Sequence, residues 1–175
     1  MRPRPFSPFV SFVCFVVTLC LASASARAAD ATFVRIWPGW REAASFDRIS
    51  EYFGGGENHG SHTVLRTHAE TRAGYYFLVC LKNSAAPGTT AKFFLRVITP
   101  ASPEPKEFSF PATLAPRETV FQLGLTGPDW PGGRKSQPVA WRLDLLAADG
   151  RVLATQQSFL WAKPAAPVDT APAPR

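Results

Sequence analysis

From Thr32 onward the chain is cut into short apolar runs by Gly, Pro and Asn/Asp clusters spaced roughly ten residues apart, the rhythm of sandwiches and barrels. Aromatic and β-branched residues fill the runs, as strands prefer. Strands are predicted near Thr32 to Trp37, His62 to Thr67, Gly74 to Lys82, Ala91 to Thr99, Lys106 to Ala112, Glu118 to Leu125, Pro138 to Ala147 and Arg151 to Trp161. That makes about eight, with no internal repeat and no second domain.

Alternation of period two assigns the inward faces. Val139, Trp141, Leu143 and Leu145 alternate with Ala140, Arg142 and Asp144, so the first set is expected in the core. The same logic turns Phe121, Leu123 and Leu125 inward, together with Phe93, Leu95 and Val97, and puts Phe108 and Phe110 on one face. Tyr75, Phe77, Val79 and Leu81 are matched by Tyr76, Leu78 and Cys80 across the strand. A strand apolar on both faces is central or covered. Its cover is expected to be a short helix with Ser45 as N-cap, Asp47 in the first turn, Phe46, Ile49, Tyr52 and Phe53 on one side, and Gly54 as the stop. Two turns do not stand alone in water, so this segment must dock on the sheet. Asp149-Gly150 between two strand-like runs predicts a closing hairpin.

The fold class expected is therefore all-β: an antiparallel immunoglobulin-like or fibronectin-like β-sandwich of about eight strands with one short helical insertion. The likeness is one of architecture. Antibody-type domains carry a cysteine pair with a tryptophan between, and that pair is missing here.

The first residues read as an export signal. Arg2 and Arg4 precede an apolar run from Phe9 to Ala22, and Ala26-Arg27-Ala28 is a small-residue cleavage site. The run is about fourteen residues, whereas a bilayer-spanning helix takes roughly twenty, so a cleaved signal over 1–28 is favoured over an anchor. The expected organisation is a signal peptide at 1–28, a sandwich domain at 29–162 and a Pro/Ala-rich extended tail at 163–175. No stable membrane span is expected after cleavage. The location expected is periplasmic or extracellular.

Cys14 and Cys20 leave with the signal, so Cys80 remains alone and no internal disulfide can form. Stability must come from packing. The formal charge of +6 also shrinks: without Arg2, Arg4 and Arg27, 16 basic residues face 13 acidic ones, a net +3. The remaining charges are scattered rather than gathered into a basic stripe, which argues against a nucleic-acid partner.

Chemical motifs are sparse. His59, His62 and His68 lie near Glu57, but an extended strand from His62 to His68 would hold those two roughly 20 Å apart. Glu57, His59 and His62 could converge on a metal, although two histidines at that spacing also suit an ordinary Gly-rich surface loop. Asn58-His59-Gly60-Ser61-His62 lacks the first glycine of a hydrolase nucleophile elbow, which leaves an envelope hydrolase a minor alternative. Gly54-Gly55-Gly56 follows a helix instead of opening one, and so makes no phosphate cradle. Cys80, flanked by Leu78, Val79 and Leu81, reads as packing. No cofactor is expected, and the chain is not expected to be an enzyme.

The aromatics carry the remaining functional signal. Trp141 and Trp161 fall in strand-like runs and read as core. Trp37 and Trp40 flank Pro38-Gly39, and Trp130 sits in Gly127-Pro128-Asp129-Trp130-Pro131-Gly132-Gly133, both stretches of turn chemistry. Trp37, Trp40 and Trp130 are therefore the candidate contacts. The function expected is an exported, non-catalytic interaction module that binds another envelope or secreted protein. The alternative is a carbohydrate-binding module that stacks a glycan on these three tryptophans. A planar row of exposed aromatics beside polar groups would favour the glycan. An apolar patch or an unpaired long edge would favour the protein.

Overall fold

In a computed structural model of the chain, residues 31–47, 60–84 and 88–162 are described. The signal segment, the Pro/Ala tail, Glu57, His59 and most of the expected helix lie outside these residues. Eight strands form two stacked sheets: β1 (Ala31–Arg41), β2 (His62–Arg66), β3 (Gly74–Asn83), β4 (Thr89–Thr99), β5 (Ser102–Leu114), β6 (Arg117–Thr126), β7 (Ala140–Ala147) and β8 (Val152–Gln157). Sheet one runs β1-β3-β6-β2, with β2 parallel to β6 and the other pairs antiparallel. Sheet two runs β5-β4-β7-β8, antiparallel throughout. The chain changes sheet between β3 and β4, β5 and β6, and β6 and β7. These crossings make the fold an all-β, immunoglobulin-like sandwich. Among the described residues no helix is long and apolar enough to cross a membrane.

The alternation rule located the core. Phe77, Val79, Phe93, Leu95, Val97, Leu123, Leu125, Leu143 and Leu145 are fully buried between the sheets. Phe93 meets Phe121 at 4.9 Å and Phe77 meets Trp141 edge-on at 5.6 Å. Each such side chain contributes roughly 1.5–3 kcal/mol through the apolar surface it removes from water. Val139 departs from the expectation: β7 begins one residue later, and Val139 is 45% exposed at its mouth. Phe108 is half-buried, packed against the rim of the core toward the exposed start of edge strand β5.

Other departures have local causes. The strand expected through Trp161 stops at Gln157, because Ser158 ends it: its Oγ accepts from Trp141 N (3.0 Å) and its carbonyl accepts from Trp161 N (3.2 Å), which starts α1 (Phe159–Ala162). Trp161 consequently leaves the core for the outer face of sheet two, where Arg96 sits 5.6 Å from its ring. The Asp149-Gly150 hairpin forms. It has one positive φ, at Gly150 (+83°), with Gly150 N bonded to Ala147 O (2.9 Å), so the reversal is a turn followed by a glycine bulge. The expected helix is replaced, over its described part, by a 3-10 turn at Ala43–Phe46 with Asp47 extended. Ser45 Oγ donates backward to Glu42 O (2.7 Å) rather than capping a helix that follows. The docking function survives: Phe46 is buried 4.8 Å from Tyr76, on the outer face of β3.

Candidate functional site

Pro38-Gly39 does not turn. β1 runs straight through it to Arg41, which an edge strand permits because proline lacks only the N–H that would otherwise face away from the sheet. This continuity sends Trp37 and Trp40, three residues apart, to opposite faces. Trp40, paired with Tyr75, packs against the core rim, and its Nε1 donates to Glu42 Oε1 (2.8 Å). Trp130 is 4% exposed, stacks 4.5 Å from Tyr75 and donates from Nε1 to Gly133 O (3.2 Å). It plugs one end of the sandwich, so the expected contact role of Trp130 is corrected: a ring with both faces covered offers no platform. Burial at this end also raises the Tyr75 phenol above its usual range. Trp37 alone of the three faces outward and is 48% exposed, with Arg35 Cζ 5.1 Å from its ring centroid.

Register fixes what surrounds Trp37 on the outer face of sheet one. One row reads Trp37, Leu78, Gln122, Val64, and the next Gly39, Tyr76, Gly124, Arg66. Tyr76 does not stand upright between its two glycines. A Cβ added to Gly124 would lie 2.4 Å from Tyr76 Cε1, whereas one added to Gly39 would meet no atom within 4 Å. The ring therefore leans over Gly124, where its hydroxyl accepts from Arg66 Nε (2.8 Å) and donates to Arg72 O (2.7 Å). The Gly39 half of the row is left open. The result is a groove of ≈ 200 Å³ lined by β1 from Trp37 to Arg41, Trp40 included, and by Tyr76, Leu78 and Gln122.

One wall of the groove is a fixed polar relay. Arg41 Nη1 donates to Gln122 Oε1 (2.7 Å), which leaves Gln122 Nε2 to donate to His62 Nδ1 (2.9 Å). Gln122 is 5% exposed. His62, a member of the less favoured metal set, spends this nitrogen on the amide. His68 is engaged elsewhere, with Nε2 3.1 Å from Asp129 Oδ2. Glu57 and His59 lie outside the described residues; among those residues no group of three His, Cys, Asp or Glu side chains could hold a metal.

Cys80 also lies on this face. Its thiol donates to Glu118 Oε1 (2.8 Å); burial, this bond and the neighbouring charge push its pKa up to about 11. That keeps it a thiol and a poor nucleophile.

Sheet two presents a closed outer face by comparison. Asp144, 4% exposed, accepts from Thr155 Oγ1 (2.6 Å), Arg96 Nη2 (2.7 Å) and Arg142 Nε (3.1 Å). Burial alone would raise its carboxyl, but these three hydrogen bonds outweigh it and hold the group below the usual carboxylate range. Exposed apolar groups occur farther along, with Phe159 82% and Leu160 52% exposed on α1.

The fold and groove together define an immunoglobulin-like sandwich with a lateral pocket on its β1-β3-β6 face. No family model matches the chain, and no curated protein matches it. Among solved structures it is similar to an immunoglobulin-like protein from Pseudomonas aeruginosa, with 19% identity over 75% of this chain and 96% of that chain and a TM-score of 0.34.

Sequence reasoning missed Gly39, Arg41 and Gln122. Pro38-Gly39 reads as a turn, which hides Gly39 and Arg41, and Gln122 reads as an ordinary outward position between Phe121 and Leu123.

Proposed function

We propose that this chain is an exported, non-catalytic interaction module that binds another envelope or secreted protein through the groove around Trp37. The observation that carries the reading is the open floor at Gly39 beside a half-exposed tryptophan. A glycine within a strand costs stability, and where no neighbour needs the space it marks a place of close approach from outside. Size supports a side chain as occupant: pockets for free small molecules commonly run from about 300 to 1,000 Å³, and this one is ≈ 200 Å³. Trp, Tyr and Arg, which surround the floor, are the residue types that anchor protein interfaces. Recognition is expected face-on rather than by strand addition, because β5, the longest edge, carries Pro103, Pro105 and Pro111 with Glu104, Lys106 and Glu107. A three-tryptophan glycan platform is less favoured, because Trp130 is buried at one end of the sandwich, away from Trp37 and Trp40 at the groove.

The test is photo-crosslinking in the exporting cell. A photoreactive residue at position 35, beside Trp37, should capture one reproducible partner, and Trp37→Ala should abolish the capture; the same label at position 107 on β5 should not capture it. Equal capture from both positions, or capture indifferent to Trp37, refutes the reading.

A further inference from the structure

Resting on that reading of the groove, we infer that its occupant presents a carboxylate, carried on an acidic side chain of the partner, and that Arg41 is the residue that binds it. Among the other partly buried arginines, Arg96 and Arg142 share Asp144, Arg72 has Asp47 at 2.9 Å and Arg66 bonds the Tyr76 hydroxyl, while Arg35 and Arg117, for which no acid lies within reach among the described residues, are exposed. Arg41 is different. Among the described residues it has no carboxylate, only the neutral Gln122 amide and the Phe46 ring 5.3 Å below its Cζ. A half-buried guanidinium has lost part of its hydration, and one amide oxygen serves one of its five donors.

Three features make this cation a site rather than a structural strut. Its orientation is set in advance, since Gln122 is itself held by His62 and the guanidinium lies over Phe46. Binding would therefore cost little ordering of side chains. Gly39, two residues away on the same face, leaves the approach to Arg41 empty. Trp37, two residues farther along, lies roughly 13 Å from Arg41 at four strand residues' rise, about the reach of an extended tripeptide with both ends capped. Charge agrees as well: Arg35 and Arg41 flank the groove, while Glu118 on this face is turned to the Cys80 thiol.

The test uses the mature chain and two capped tripeptides, Gly-Glu-Gly and Gly-Gln-Gly, followed by the NMR signals of the Gln122 side-chain amide and the Trp37 indole N–H. The glutamate peptide should shift both signals and saturate in the millimolar range. The glutamine peptide should bind about tenfold more weakly or less, the loss expected when a charge-assisted pair becomes a neutral one. Arg41→Gln should abolish the difference between the peptides, and Arg41→Lys should keep part of it, as a point charge without the planar fork. Should Arg41→Gln fail to fold, Gly39→Leu blocks the same approach with Arg41 intact and should remove both responses. Equal binding of the two peptides, or no saturable shift with either, overturns the inference. If the Trp37-dependent crosslink from position 35 then persists, only the carboxylate has failed. Loss of that crosslink as well means the groove is not the partner surface.

Discussion

Gly39 and Gly124 flank Tyr76 in a single row of sheet one, and alanine at the two positions should move stability in opposite directions. At Gly39 the added methyl meets nothing within 4 Å, and the backbone there has no positive φ. The substitution removes freedom from the unfolded chain and should stabilise by about 0.4–1 kcal/mol. At Gly124 the same methyl would lie 2.4 Å from Tyr76 Cε1 and 2.7 Å from Cζ. Tyr76 cannot swing aside cheaply, because its hydroxyl is bonded to Arg66 and Arg72 and its ring packs on Phe46. Overpacking of this kind costs about 1–3 kcal/mol, more than the entropic gain returns. Since the entropic gain is common to both, the two variants should differ by the overpacking cost, about 1–3 kcal/mol, read from urea midpoints with unchanged slopes. Combining Gly124→Ala with Tyr76→Ala should recover part of the loss as a coupling energy. Equal effects at the two glycines, of either sign, would refute the tilt of Tyr76 and with it the origin of the groove.

Other outcomes follow from the same geometry. Phe93→Ala empties the centre of the core and should cost about 3–5 kcal/mol in chemical denaturation. Asp144→Asn leaves Arg96 and Arg142 without their acid and should cost about 2–3 kcal/mol near neutral pH, the low end for a broken buried pair because both arginines are partly exposed. Because the folded carboxyl lies below its unfolded value of about 3.9, its contribution is complete above that pH and disappears as pH falls through the folded value; the gap between wild type and Asp144→Asn should close in acid titrations. Cys80, raised by burial and by Glu118 to about 11, should react with a thiol-selective disulfide reagent at pH 8 about a hundredfold more slowly in the native chain than after denaturation; equal rates would contradict its burial beside Glu118.

Period-two alternation was enough to place nearly every core side chain, because a residue's face in a strand depends only on parity and the two interior faces are strongly apolar. The hairpin at Asp149-Gly150 was equally legible, since it needs only one residue that accepts positive φ. Where the reading failed, the deciding interaction was remote. Trp37-Pro38-Gly39-Trp40 has the local chemistry of a turn, and only its place on an edge beside β3 lets it continue as strand. The end of β8 depends on Ser158 meeting Trp141, seventeen residues away in the chain. Trp130 reads as a loop residue and is one, but Tyr75 draws it inward. The groove was invisible for the same reason: Gly39, Arg41 and Gln122 come from two strands, and β3 supplies the tyrosine whose lean opens the space. Composition alone cannot show that one of two glycines is filled and the other empty.

If the empty floor at Gly39 receives a partner, filling it must block capture. The direct measurement is capture from position 35 in the exporting cell by Gly39→Leu, a variant that fills the groove while leaving Trp37 and Arg41 in place, alongside its urea midpoint. Gly39→Leu should be at least as stable as wild type and should no longer capture the partner. Undiminished capture from position 35, or capture that instead follows a label at the exposed Phe159, would contradict it.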